Sequence, residues 1–250
     1  MITPTEMEKI VNSVAPAELA EEWDNVGLLV DAGLPTDRIL FALDATADAI
    51  EEAGETGCGI IVTHHPLIFH PLKRVSDGSA VALALRKGIS VISAHTNYDS
   101  ADGGINDVLA RWLDLEKIAP VEKMGRAGVL PDGPMTMKQF ASFVKERLGV
   151  EGLRVADAGI PVHRVMVLGG SGGDWAAAAK EAGCDTLLTG EAAHHEGIEA
   201  KAIGVNLVVA GHFGTENPGM PAFCAAVQKL VGDRAECRVS VRNRDPFVWM

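Results

Sequence analysis

Two adjacent histidines, His64 and His65, close the apolar run Gly59-Ile60-Ile61-Val62-Thr63, and Pro66 follows them. Further along, a histidine is twice followed, after three intervening residues, by a carboxylate: His95-Thr96-Asn97-Tyr98-Asp99 and His212-Phe213-Gly214-Thr215-Glu216. Imidazole nitrogen and carboxylate oxygen suit zinc, manganese, iron or nickel, and the set His64, His65, His95, Asp99, His212 and Glu216 is large enough for two divalent ions. Two ions held about 3.5 to 4 Å apart share a water and raise its acidity, which is the chemistry of metal-assisted hydrolysis. Any one of these histidines alone reads as an ordinary surface or hydrogen-bonded residue. Their recurrence at equivalent places in the chain is what points to metal.

The elements that must position them alternate in type. From Arg38 the pattern predicts strand 39–43, helix 47–55, strand 59–63, helix 79–87 and strand 89–93, with a helix through Val108 to Trp112 beyond. A second series predicts strand 164–168, a glycine turn, helix 175–182, strand 186–189, a helix near 197–203 and strand 206–210. Such alternation implies right-handed crossovers and a largely parallel sheet, with ligands gathering beyond the carboxyl ends of the strands. Neighbouring side chains on a strand point to opposite faces, so His64 and His65 share one site only if the chain turns there, as Pro66 encourages.

The two series match at their ends. Thr63-His64-His65 stands against Thr189-Gly190-Glu191, and the stretch from His95 to Asp99 stands against that from His212 to Glu216. The expectation is therefore an internal duplication: an α/β protein of two similar interlinked lobes with largely parallel sheets, residues 1–125 and 126–250, and a metal site in the cleft between them. A soft boundary falls near residues 120–135, where Pro120, Pro131, Asp132, Gly133 and Pro134 interrupt the pattern. An amphipathic helix is expected over 137–148, and strands over 126–130 and 153–156. The chain is expected to close with helix 222–230 and a strand over 238–241 returning to an earlier sheet. At the other end, Thr3, Pro4 and Glu6 predict a capped helix start.

Other residues offer less. Asp24 and Asn25 read as turn residues. His70 reads as a loop residue, His163 lies before a strand at the end away from the chemistry, and His194 and His195 lie near the right end with His194 facing solvent. Gly169-Gly170-Ser171-Gly172-Gly173-Asp174 either cradles an anion on backbone N–H groups or makes a tight turn with Asp174 capping the next helix. It lacks the spacing of a phosphate-binding loop or a dinucleotide fingerprint.

Composition narrows the class. With 250 residues, 47% of them hydrophobic, the chain can bury a sizeable core. A net charge of −12 argues against an extended nucleic-acid surface. The longest apolar runs fall far short of the roughly 18 to 20 residues a membrane span needs, and no basic-then-apolar leader opens the sequence, so a cytoplasmic location is expected. Cys58, Cys184, Cys224 and Cys237 are widely spaced and read as reduced thiols.

Thr63-His64-His65-Pro66, His95 to Asp99 with Gly103-Gly104-Ile105-Asn106-Asp107, Thr189-Gly190-Glu191 and Gly211 to Glu216 resemble the motifs of the type 2 GTP cyclohydrolase I family, also called Nif-three-like proteins. Glu22-Trp23-Asp24-Asn25-Val26-Gly27 resembles another. The resemblance implies a two-lobed α/β protein carrying two divalent ions per chain (zinc, iron, manganese or nickel) and assembling as a homohexamer. It places the metal ligands at His64, His65, Asp99, His212 and Glu216, with Glu216 as the bridge. His65 and Asp99 then serve one ion and His64 and His212 the other. His95 becomes a nearby polar residue or proton carrier, catalytic together with Glu216. Family members with an acidic residue after Thr-Gly often have Asp, and Glu191 lengthens that side chain here. The implied activity is hydrolysis of a nucleotide or similar small molecule. The alternative is a non-enzymatic, metal-stabilised ring protein with an interaction or regulatory role.

Overall fold

The computed structural model describes residues 1–248 and residue 250. Two compact units divide the chain, Met1–Gly104 with Met220–Arg244, and Ile105–Gly219 with Asp245–Met250. The division therefore falls at Gly104 instead of within residues 120–135. The reason is hydrogen bonding: residues 116–121 form a strand that pairs with the strand over 125–129, which draws the whole stretch from Ile105 onward into the second unit.

In chain order the first unit carries α1 (Pro4–Val14), β1 (Gly27–Val30), β2 (Arg38–Ala42), α2 (Ala47–Thr56), β3 (Ile60–Thr63), α3 (Ala80–Arg86), β4 (Ser90–Ser93) and the short α4 (Thr96–Ser100). The second carries α5 (Ile105–Trp112), β5 (Glu116–Val121), β6 (Gly125–Val129), α6 (Met137–Leu148), β7 (Arg154–Ala156), β8 (Arg164–Ser171), α7 (Ala176–Glu181), β9 (Thr186–Glu191), α8 (His194–Ala202), β10 (Asn206–Val209) and the short α9 (His212–Glu216). The chain ends with α10 (Gly219–Val231) and β11 (Glu236–Val239). Thr3 and Glu6 close the expected capping box on α1, with Pro4 opening the helix.

The first sheet has the order β1-β4-β3-β2-β11, and only the β1–β4 pair is antiparallel. The returning C-terminal strand is β11, parallel to β2. The second sheet, β5-β6-β8-β9-β10-β7, is mixed: β8, β9 and β10 are parallel, and the outer pairings are antiparallel. Within each unit one four-strand motif recurs. Three consecutive strands pair in parallel, and the strand preceding them in the chain adds antiparallel to the last of the three, β1 on β4 and β7 on β10. Ala94 donates its N–H to Thr63 O (2.9 Å) just as Ala210 donates to Thr189 O (2.8 Å), and a five-residue helix begins two residues later in both.

That register corrects the sequence match. His95 and Gly211 both occupy the position just before the short helix, so Asp99 is equivalent to Thr215, not to Glu216. The duplication is present in the topology, but the two His-x-x-x-carboxylate spacings are offset by one residue.

Apolar strands alternate their side chains between two faces. In the second sheet Val165, Val167, Leu188 and Val208 pack with Phe140 and Val144 of α6, while Met166, Leu187 and Leu207 pack with Ala176, Ala179 and Ala200 of α7 and α8. In the first sheet Leu40, Ile61 and Val91 meet Ile50, Ala53, Val81 and Ala84 of α2 and α3. Each fully buried Val, Leu, Ile, Met or Phe side chain among them contributes about 1.5 to 3 kcal/mol relative to exposure. Tyr98 of α4 stacks on Phe223 of α10 at 4.1 Å, which seats the short helix on the core.

The residues after β11 tie back to the end of β2. Glu52 accepts hydrogen bonds from the Ser240 hydroxyl and the Val241 and Arg242 amides, and Asn243 Oδ1 accepts from the amides of Leu43 (2.8 Å) and Asp44 (3.2 Å). All four cysteines are free thiols, and burial pushes Cys224 up to about 11 and, helped by Cys224 and Cys58, Cys237 up to about 12. Among the described residues no helix is long and apolar enough to cross a membrane.

Candidate metal centre

The first unit gathers three histidines at the carboxyl ends of β3 and β4. The ladder continues past Thr63, with the His64 amide donating to Ala42 O and the His65 amide to Leu43 O. Thr63 Oγ1 then donates to His65 O (2.8 Å), and the rings of His64 and His65 lie 5.0 Å apart. The turn needed for two neighbours to serve one place is therefore present. The His95 ring stands 5.2 Å from His64 and 5.6 Å from His65, and one ring nitrogen from each of the three lies within 4.8 Å of the others. His95 thus belongs to the cluster itself.

Each imidazole is held by its Nδ1. His64 Nδ1 meets Ala94 O at 3.0 Å, and because a carbonyl only accepts, that nitrogen carries a proton, so that in the neutral ring the lone pair is at Nε2. His65 Nδ1 bonds to Asp44 Oδ1 (2.7 Å), and His95 Nδ1 to Asp24 Oδ1 (2.9 Å). Asp24 Oδ2 also accepts from the amide and hydroxyl of Thr96. Burial opposes the charge on Asp24, but the hydrogen bonds from His95 and Thr96 and the charge of His95 outweigh it and hold the carboxyl well below the ordinary range. Asp99, fourth residue of α4, brings Oδ1 to 3.6 Å from His64 Nε2, with His64 fully buried and Asp99 nearly so.

In the second unit α9 opens with His212 and ends with Glu216. Residues four apart share a helix face, and His212 Nε2 lies 3.0 Å from Glu216 Oε2. Glu191, at the end of β9, approaches His212 Nδ1 at 3.4 Å. Four histidines thus carry a carboxylate or carbonyl on Nδ1 and present Nε2, the arrangement by which proteins fix the tautomer of a metal-ligating imidazole. Glu216 is buried, 3% exposed, and its carboxylate oxygen belongs with these ring nitrogens to the groups of ligand atoms close enough to hold a metal ion. The donor set fits a metal.

The glycine run serves a different purpose from those expected. β8 continues through Ser171, the Gly169 amide donates to Asn106 Oδ1 (2.7 Å) and the Gly170 amide to Thr215 Oγ1 (3.1 Å), so neither donor is turned to an anion. Asp174 lies inside a short 3-10 turn and caps no helix. What the glycine permits is close approach: a Cβ on Gly170 would fall 2.2 Å from Glu216 Oε1 and 3.2 Å from His212 Nε2.

His194 and His195 start α8 with exposed side chains and join no metal-capable group among the described residues. His70 is exposed beside Phe69, and His163 lies just before β8. The carboxylates Asp44 and Asp24 were not foreseen as functional. Asp44 lies two residues past the end of β2, so the rule that chemistry collects beyond strand ends would have found it. Asp24, 71 residues from its partner, carries no such signal.

A family profile described as Duf34/NIF3 (NGG1p interacting factor 3) matches residues 2–246. A Clostridium perfringens protein named GTP cyclohydrolase 1 type 2 homolog is 34% identical over 254 residues, covering 96% of this chain and 97% of the relative. A Helicobacter pylori protein named GTP cyclohydrolase 1 type 2 is 31% identical, covering 84% of this chain and 86% of its own. Among solved structures, a Bacillus cereus protein related to NIF3 superimposes with a TM-score of 0.91 at 24% identity over 99% of both chains, a likeness of fold.

Proposed function

The chain belongs to the Duf34/NIF3 family, and from that premise we propose that it is a cytoplasmic metal-dependent hydrolase. In this reading His64, His65 and Asp99 of the first unit and His212 and Glu216 of the second hold two divalent ions per chain. The observation that carries it is the repeated pairing of an Nδ1-anchored imidazole with a carboxylate, His64 with Asp99 and His212 with Glu216. Bound divalent ions would supply Lewis acidity and lower the pKa of water at the reacting centre.

The chain's own residues supply the rest. Asp44, Asp24 and Glu191 hold their histidines in the tautomer that presents Nε2. His95, backed by Asp24, is the group placed to accept and return a proton at Nε2, the role of a general acid–base imidazole. The substrate class is a nucleotide or similar small molecule. The name of the Helicobacter pylori relative makes GTP the first to assay, with hydrolysis at C8 releasing formate.

The test is metal content. Asp99→Ala and Glu216→Ala should each lower it, and retention of two ions per chain by both would sink the assignment. Metal-loaded protein that releases no formate from GTP would remove that substrate and leave the metal set standing. The reading extends to a homohexamer, which the exposed apolar side chains of Phe247 and Val248 near the C-terminus support.

A further inference from the structure

Beside the histidine cluster lies an aromatic pair that the reading above does not use. Trp23 is 60% exposed and Phe69 41%, although rings of this size are costly to leave in water. Their centroids are 5.8 Å apart with the planes tilted by 53°. The His95 ring stands edge-on to both, 6.2 Å from each, with interplanar angles of 75° and 77°. Through His95 the pair is one ring removed from His64 and His65.

The pair is held in place. Trp23 immediately precedes Asp24, whose carboxylate is fixed by His95, Thr96 and the Asn25 amide. Asn25 Nδ2 donates to Ile68 O, which ties this stretch to the loop carrying Phe69. The same short segment therefore positions an exposed indole and the carboxylate that orients His95.

We infer that Trp23 and Phe69 form a subsite for a planar nitrogen-heteroaromatic ring, the base of a nucleoside or nucleotide. The ring stacks on the open face of Trp23, with Phe69 as side wall, and its edge is directed to His95. Every base has a π-face, so such a platform selects for a flat ring and leaves the choice of base to other contacts. The inference rests on the reading of the adjacent histidines as the reacting centre.

The test is calorimetric titration of the full-length, metal-loaded native assembly with guanosine, adenosine and cytidine, and with ring-free ribose 5-phosphate. At least one nucleoside should bind the native protein. Trp23→Ala should weaken it by about 5- to 150-fold, the usual loss on removing one stacking partner. Phe69→Ala should weaken it less, Trp23→Phe should retain most of the affinity, and ribose 5-phosphate binding should be the same in all. Three results would overturn the subsite: no nucleoside bound by the native protein, undiminished affinity in Trp23→Ala, or a changed sedimentation coefficient in Trp23→Ala, which would make the patch a contact between copies. Counting ions in the same samples separates the two readings. Two ions with no nucleoside binding refutes the subsite alone, and Trp23-dependent binding without ions refutes the metal assignment alone.

Discussion

Gly170 offers a way to disturb Glu216 without touching any proposed ligand. Its φ is +66°, in the left-handed region, and an alanine Cβ there would lie 2.2 Å from Glu216 Oε1 and 3.2 Å from Glu216 Cδ. Two costs follow for Gly170→Ala. The left-handed conformation costs about 1 to 2 kcal/mol for a residue with a Cβ. Crowding in a packed site adds about 1 to 3 kcal/mol. The backbone cannot easily yield, because the Gly170 amide donates to Thr215 Oγ1 and its carbonyl accepts from Thr189 Oγ1. Relief comes instead from the Glu216 side chain, whose carboxylate must swing away from His212 Nε2.

Gly183→Ala is the matched control. It has nearly the same φ, +73°, but nothing within 4 Å of the added Cβ. Both variants should lose the left-handed term, about 1 to 2 kcal/mol, and only Gly170→Ala should lose the crowding term and release metal. The assay is elemental analysis of metal-reconstituted protein alongside urea unfolding, with circular dichroism showing that both variants are folded. If Gly170→Ala holds as many ions as Gly183→Ala, Glu216 is not a ligand in its present position and the reasoning fails.

The anchoring carboxylates and the C-terminal tie give two further expectations. Asp44→Asn leaves His65 without a carboxylate on Nδ1 and should weaken metal binding by about 10- to 100-fold in a chelator competition; unchanged affinity would remove Asp44 from any role in the centre. At Glu52, burial favours the neutral acid, but hydrogen bonds from Ser240 and the Val241 and Arg242 amides, with the charge of Arg242, outweigh it and lower the pKa. The charged form is thus the stabilising one: its contribution is complete above the ordinary glutamate pKa and is lost as pH falls through the lowered folded value. Glu52→Gln should cost about 1.5 to 3 kcal/mol in urea unfolding at pH 7, and the gap from the native protein should narrow steadily on acidification; a gap independent of pH would contradict the assignment.

The alternation of apolar runs with amphipathic stretches set the parallel strands of both units to within a residue or two, except that β8 runs three residues past its expected end, because burial on two faces leaves a pattern that local sequence must carry. The same logic placed His64, His65, His95 and His212 beyond strand ends, and the pairing of Thr63 with Thr189 as equivalent positions agrees with the ladder bonds to Ala94 and Ala210. The edge strand β5 carried no such pattern: its residues are exposed or half-buried throughout, and Lys117 within it has a positive φ. The short helices α4 and α9 also went unforeseen, since five residues are too few for a helical period to show.

What the sequence determined, then, is the roster of imidazoles and carboxylates and the strands that deliver them. What only the tertiary structure decided is which atom faces which. The offset of one residue between Asp99 and Glu216 arises because one repeat places histidine before its short helix and the other places it inside, a difference that spacing alone cannot register. The bonds between Asp24 and His95 and from the amides of Leu43 and Asp44 to Asn243 join residues 71 and about 200 positions apart. Such contacts are made by folding and have no periodicity to read. The histidine identities were written in the chain, but the tautomers that turn them into ligands were set by neighbours that only the fold supplies.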